Sequence, residues 1–227
     1  MYKDWNAIIA LTFIVLSLPA QAINKCTDKT GKISYQDGPC RASEIAETKL
    51  LGKSNDAEDI KNLQPIYVKI PGVGDGVLFA YKWWNFNIIQ PTTEAPPTVK
   101  MVSKSGEEPI SFSISFIPNK NGKKISIEES SDTVYKMASR YVAGSIEGEV
   151  KLRKLETSIG PAILTSFTEE KYLHIPIPLG EFSSITVGQA THSKVVVGFT
   201  ILTNGTDSKA LKEAYNIIGS FQIVANQ

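Results

Sequence analysis

Apolar and polar residues alternate without a break from Ser111 to Phe116, Ser-Phe-Ser-Ile-Ser-Phe. A period of two puts every second side chain on the same side of a pleated strand, so this stretch predicts a strand buried on one face. Extended patterns also run over Ile66 to Ile70, Val77 to Ile89, Thr98 to Ser103, Val150 to Glu156, Ala162 to Thr168, Ser184 to Thr191 and Lys194 to Thr203. Val77 to Ile89 is long enough for one strand or a pair. The last run contains Val195-Val196-Val197-Gly198-Phe199-Thr200-Ile201-Leu202 and is nearly all apolar, as expected of a central strand covered on both faces. Turn-forming residues separate the runs: Pro71-Gly72-Val73-Gly74-Asp75-Gly76, the polyproline-like Pro91 to Pro97, Ser105-Gly106, Pro118 to Gly122 and Asn204-Gly205-Thr206.

Two segments change to helical spacing. Val134, Met137, Ala138, Tyr141 and Val142 fall on one continuous face behind a capping Asp132, and Gly144 stops the pattern. A second helix is predicted behind Asp207, with Leu211, Ala214, Tyr215 and Ile218 as its buried face and Phe221 closing it. Strands and helices in this order predict an α+β fold, an antiparallel sheet with two packed helices. The order also resembles PsbP-like domains over about Trp83 to Ile223. The resemblance rests on a strand ending Phe116-Ile117-Pro118-Asn119, a mid-chain helix, and a late strand ending Thr203-Asn204 before a Lys- and Glu-rich helix. It implies a fold that hosts several non-catalytic accessory roles.

The first 22 residues have a different character. Ala7 to Leu18 is an uncharged run too short to span a bilayer, Pro19 breaks it, and Ala20-Gln21-Ala22 offers a small-x-small cleavage site. Residues 1–22 are expected to be a cleaved export signal. Cys26 follows Ile23-Asn24-Lys25, which does not suit lipid attachment, so the exported chain is expected to be soluble. Two cysteines in an exported protein are expected to be joined, and Cys26 and Cys40 are the only pair. Closing a loop of this length contributes about 3 kcal/mol in the chain-entropy model. Asp28-Lys29-Thr30-Gly31 is a turn, so residues 23–27 and 32–36 pair as a hairpin, and Asp37-Gly38-Pro39 brings Cys40 back toward Cys26. The chain is therefore expected to divide into a disulfide-closed β-hairpin module (23–41), a linker (42–64) and the α+β domain (65–227). A short helix is expected near Ser43 to Leu51.

Lys25, Cys26, Asp28, Gly31, Lys32, Tyr35, Asp37, Pro39 and Cys40 resemble a small domain of unknown function that follows the signal peptide in many proteobacterial envelope proteins. The family usually has an aromatic residue where Asn24 stands. The resemblance implies a periplasmic, Gram-negative location and no particular activity. Tyr35 and Asp37 are read as shaping the hairpin, with a contact role as the alternative.

Charge narrows the partners. The chain carries 24 Lys and Arg against 23 Asp and Glu, and loss of the leader leaves the net charge at +1. Near-neutrality without a basic run gives no field for nucleic acid or an anionic bilayer, and no second apolar stretch is long enough to span a membrane. Candidate chemistry is sparse. His174 and His192 are the only possible general bases, and no Gly-x-Ser-x-Gly nucleophile turn occurs. The two cysteines and two histidines lack zinc-ligand spacing, so no metal or other cofactor is expected. Glu107-Glu108, Glu128-Glu129 and Glu169-Glu170 are read as solvated loop ends, because adjacent strand residues face opposite ways. Gly72, Gly74 and Gly76 lack the following Lys-Ser/Thr of a phosphate loop and are read as a hairpin turn. In Lys82-Trp83-Trp84-Asn85-Phe86, strand alternation assigns Trp84, Phe86 and Ile88 to the core, leaving Trp83 as the exposed aromatic candidate for a contact.

These features predict an exported, non-enzymatic envelope protein that binds another envelope protein, with an enzyme inhibitor or immunity protein as one form. The alternative is a cell-envelope hydrolase using His174 or His192 as base.

Overall fold

A computed structural model describes residues 24–27, 33–36, 45–47, 61–93, 95–103 and 109–224, the first three segments by their backbone pairing alone. The export signal, Asp37, Cys40 and Glu107-Glu108 lie outside the described residues, as does the side chain of Tyr35.

The chain forms a predominantly antiparallel sheet with one helix on each face. Three short strands come first: β1 (Asn24–Thr27), β2 (Ile33–Gln36) and β3 (Ile45–Glu47). The main body contributes β4 (Leu63–Ile70), β5 (Gly74–Tyr81), β6 (Trp84–Ile89), β7 (Thr98–Ser103), β8 (Ile110–Pro118), helix α1 (Ile127–Ala138), β9 (Arg153–Thr157), β10 (Gly160–Thr168), β11 (Ser184–Thr191), β12 (Val195–Thr203), helix α2 (Lys209–Gly219) and β13 (Gln222–Val224). The large sheet has the order β2-β1-β3-β9-β10-β11-β12-β8-β7-β6, and β13-β5-β4 form a second, three-stranded sheet. All pairings are antiparallel except β3 with β9.

β1 and β2 pair as the expected hairpin, with Cys26 opposite Ser34. The helix expected near Ser43 to Leu51 is corrected, since Ile45–Glu47 is a strand running alongside Arg153 and Lys154 of β9. The β-branched Ile45 suits that extended backbone. Val77 to Ile89 is a pair of strands, β5 and β6, turned at Lys82-Trp83. Gly72 and Gly74 take positive φ in the β4–β5 turn, as a hairpin requires.

β8 shows how the core is made. Ile110, Phe112, Ile114 and Phe116 are buried, while the serines between them face the other way. They join Val99, Met101, Val197, Phe199 and Ile201 under α2 and the small sheet, where Leu211, Ala214, Ile217, Ile218 and Phe221 complete the cluster. On the opposite face, α1 lays Val134 and Ala138 on Ile163, Phe167 and Val187. Each fully buried side chain of this size contributes about 1.5–3 kcal/mol.

Several finer expectations give way to better local chemistry. Ser126, not Asp132, caps α1: its hydroxyl accepts from Glu129 N–H while the Glu129 carboxylate accepts from Ser126 N–H. That backbone N–H, together with nearby Lys123, holds the Glu129 carboxyl below its ordinary range. Ser208, not Asp207, caps α2 by accepting from Leu211 N–H; Asp207 instead pairs with Lys212 at 2.8 Å. Met137 is exposed, because α1 turns its Ser130–Val134–Ala138 line to the sheet. β12 sits in the middle of the β9-to-β6 body but is not covered on both faces. Val195, Val197, Phe199 and Ile201 are buried and the residues between them half-exposed, because α1 packs chiefly on β10 and β11.

Candidate functional site

The alternation of β10, β11 and β12 sends Phe167, Ile185 and Leu202 to the α1 face, where they sit side by side across three strands. α1 ends at Ala138 and the chain continues as a 3-10 turn, Ser139–Gly144, whose Tyr141 reaches Phe167. The segment 169–183, between β10 and β11, rises on the far side. Between them lies a cleft of about 590 Å³.

Its floor is apolar: Phe167, Phe182, Ile185 and Leu202, with Tyr141 as one wall. The Tyr141 and Phe167 rings are 5.9 Å apart and tilted by 38°, a favourable aromatic contact. Its rim is charged. Arg140 donates to the Tyr141 hydroxyl at 2.8 Å and lies 4.8 Å from the ring centroid. On the other side Lys171 meets Glu169 at 2.8 Å and Glu181 at 3.7 Å and stands over the Tyr172 ring at 4.5 Å. The hydrogen bond to Glu169 raises the Lys171 ammonium above its ordinary range. Tyr172 donates its hydroxyl to Glu181.

The backbone pins the rim. Ser145 bridges to Glu169, Ile146 N–H donates to Thr168 O at 3.0 Å and Glu169 N–H to Ser183 O at 2.8 Å. The Glu147 carboxylate accepts from Thr168 N–H at 2.8 Å. Beyond this frame the segment Leu173 to Gly180 holds its apolar side chains out to water. Leu173, Ile175 and Leu179 are exposed, Leu179 completely. Pro176 and Pro178 restrict that backbone and prevent it from continuing the sheet.

The sequence candidates fall as follows. His174 is exposed on this segment but does not line the cleft. His192 occupies the β11–β12 turn, where its Nδ1 accepts from Lys194 N–H at 3.2 Å. β11 separates the two histidines by roughly 25 Å of strand, so they do not meet. Ser145 lines the cleft and donates its hydroxyl to Val142 O at 3.1 Å. Glu169-Glu170 proves to be more than a loop end: both line the cleft. Glu128-Glu129 serves the first turn of α1. Trp83, the aromatic contact candidate, also has a structural role. It is half-buried, stacks on Tyr81 at 4.7 Å, and donates Nε1 to Glu213 at 3.0 Å. Phe86, assigned to the core, is corrected, since β6 is an edge strand and leaves it exposed. Among the described residues, no helix is long and apolar enough to cross a membrane, and no three His, Cys, Asp or Glu side chains are placed to hold a metal ion.

Sequence reading missed the cleft because its lining comes from four separated segments. The available signal was the apolar content of Leu173 to Leu179, where leucines and isoleucines alternate with residues that cannot bury them. No protein-family model, curated protein or solved structure matches the chain.

Proposed function

We propose that the chain is an exported, non-enzymatic protein-binding module of the cell envelope, and that it holds its partner at the cleft and the adjoining Leu173–Leu179 segment. The leader-like residues 1–22 and the cysteine hairpin motif support the compartment. On this reading Cys26 and Cys40 form the disulfide that fastens the hairpin.

One observation carries the binding role: a concave floor of Phe167, Phe182, Ile185 and Leu202 lies within a charged rim, and the segment that follows the rim holds Leu173, Ile175 and Leu179 out in water. An apolar centre with a charged rim is the anatomy of a protein interface. A partner side chain entering the cleft would cover Phe182 and Leu202, while Arg140 and Glu170 would set its orientation.

Leu173→Asp/Leu179→Asp tests this. Both residues are exposed, so stability should stay within about 0.5 kcal/mol. Immobilised wild-type protein should retain a discrete partner from periplasmic extract, and the double variant should lose it. Equal retention by both proteins, or no retained partner at all, would count against the reading.

A further inference from the structure

The opposite face of the same strands carries a cluster with different chemistry, which shares with the cleft lining only Ser184 at the start of β11. Arg153 opens β9 opposite Leu164, on the α2 side of the sheet. Its Nη2 donates to Ser166 Oγ at 2.7 Å and to the Tyr215 hydroxyl at 3.2 Å. Ser166 is the cross-strand partner of Thr186, and their hydroxyl oxygens are 2.7 Å apart. Ser184 lies two residues before Thr186, on the same face by strand alternation. Its buried hydroxyl has no hydrogen-bond partner. Thr186 and Tyr215 are buried while Arg153 and Ser166 are half-exposed, so the cluster opens to solvent at its arginine.

Counting protons shows what the cluster lacks. A guanidinium has five N–H donors, and protein acceptors take two. Tyr215 accepts from Arg153, which leaves its own proton to donate. Ser166 and Thr186 share one hydrogen bond, so one of their two protons is left over whichever way it runs. Among the described residues no carboxylate forms an ion pair with Arg153. Donors from β9, β10, β11 and α2 thus converge around a positive charge that no carboxylate of the described residues pairs.

We propose that the Arg153–Ser166–Thr186–Tyr215 cluster binds a small phosphate-type oxyanion. Such an anion neutralises the guanidinium and offers acceptors in several directions, matching donors that arrive from four elements. A planar carboxylate satisfies fewer of them. The anion can come free in solution or as the headgroup of a phospholipid.

The test is an NMR titration of the folded chain with inorganic phosphate, glycerol phosphate and acetate. Saturable shifts are expected at Arg153 Nε and at the Ser166 and Thr186 amides, with phosphate binding more tightly than acetate. Arg153→Gln should weaken binding at least tenfold, as loss of the charged donor requires. Tyr215→Phe keeps the packed ring, removes only the hydroxyl, and should weaken binding several-fold; it serves as the test if Arg153→Gln fails to fold. Stronger binding of glycerol phosphate would identify the headgroup source, and stronger binding of inorganic phosphate the free anion. No saturable shift at millimolar phosphate, acetate binding as tightly as phosphate, or unchanged affinity in Tyr215→Phe would overturn the proposal.

Discussion

Gly188→Ala is expected to destabilise the protein by about 3 kcal/mol or more, at the upper end of overpacking costs. Gly188 sits mid-strand in β11, between Leu164 of β10 and Phe199 of β12. A Cβ there would lie 2.5 Å from Phe199 Cζ, 2.6 Å from the Ile163 carbonyl oxygen and 2.7 Å from Leu164 Cβ. The ring can swing, but a backbone oxygen and a Cβ cannot move without displacing β10. For a domain of this size each kcal/mol lowers Tm by about 2–4 °C, so a drop of roughly 10 °C is expected. Phe199→Leu in the Gly188→Ala background should not restore stability, because two of the three obstacles remain. Urea unfolding checks both statements: a Gly188→Ala cost under about 1 kcal/mol, or rescue by Phe199→Leu, would contradict this packing.

The second large effect is at Glu213. This buried residue on α2 accepts from two consecutive indoles through one carboxylate oxygen, Trp83 Nε1 at 3.0 Å and Trp84 Nε1 at 2.8 Å. It ties the helix to the corner between β5 and β6. Glu213→Ala strands both donors, one of them fully buried, and should cost about 3 kcal/mol. Glu213→Gln keeps an acceptor oxygen and should cost about 1 kcal/mol. Lys209→Ala should change stability by less than about 0.5 kcal/mol, since Lys209 is exposed and reaches Glu213 only at 3.9 Å. Denaturation followed by tryptophan fluorescence reads these differences. A Glu213→Ala protein as stable as wild type would show that the indoles find other acceptors.

How far the sequence led can be judged element by element. β8 was legible because its period of two is unbroken and one face is buried. α2 was legible because Leu211, Ala214, Tyr215 and Ile218 keep helical spacing. The cap of α1 was not read, although Ser126-x-x-Glu129 is a capping box, because the first turn is polar and the apolar spacing becomes clear only at Val134. Phe86 misled because alternation gives the face of a residue and not its place at a sheet edge. Glu213 was passed over because nothing local pairs it with tryptophans about 130 residues earlier. The cleft and the Arg153 cluster have the same origin. They are the two faces of β10 and β11, where strand pairings bring residues 167, 185 and 202 together on one side and 153, 166 and 186 on the other, while the 3-10 turn supplies residue 140 and α2 residue 215.

Site-resolved photo-crosslinking tests the binding role most directly. A photoreactive residue is placed at Leu179, or as a control at Lys120 in the turn after β8, and the chain is irradiated in intact cells. A discrete adduct with a single envelope protein from position 179, absent from position 120, is the expected result. No adduct at position 179, or the same smear from both positions, would contradict the claim that the cleft and its apolar segment hold a partner.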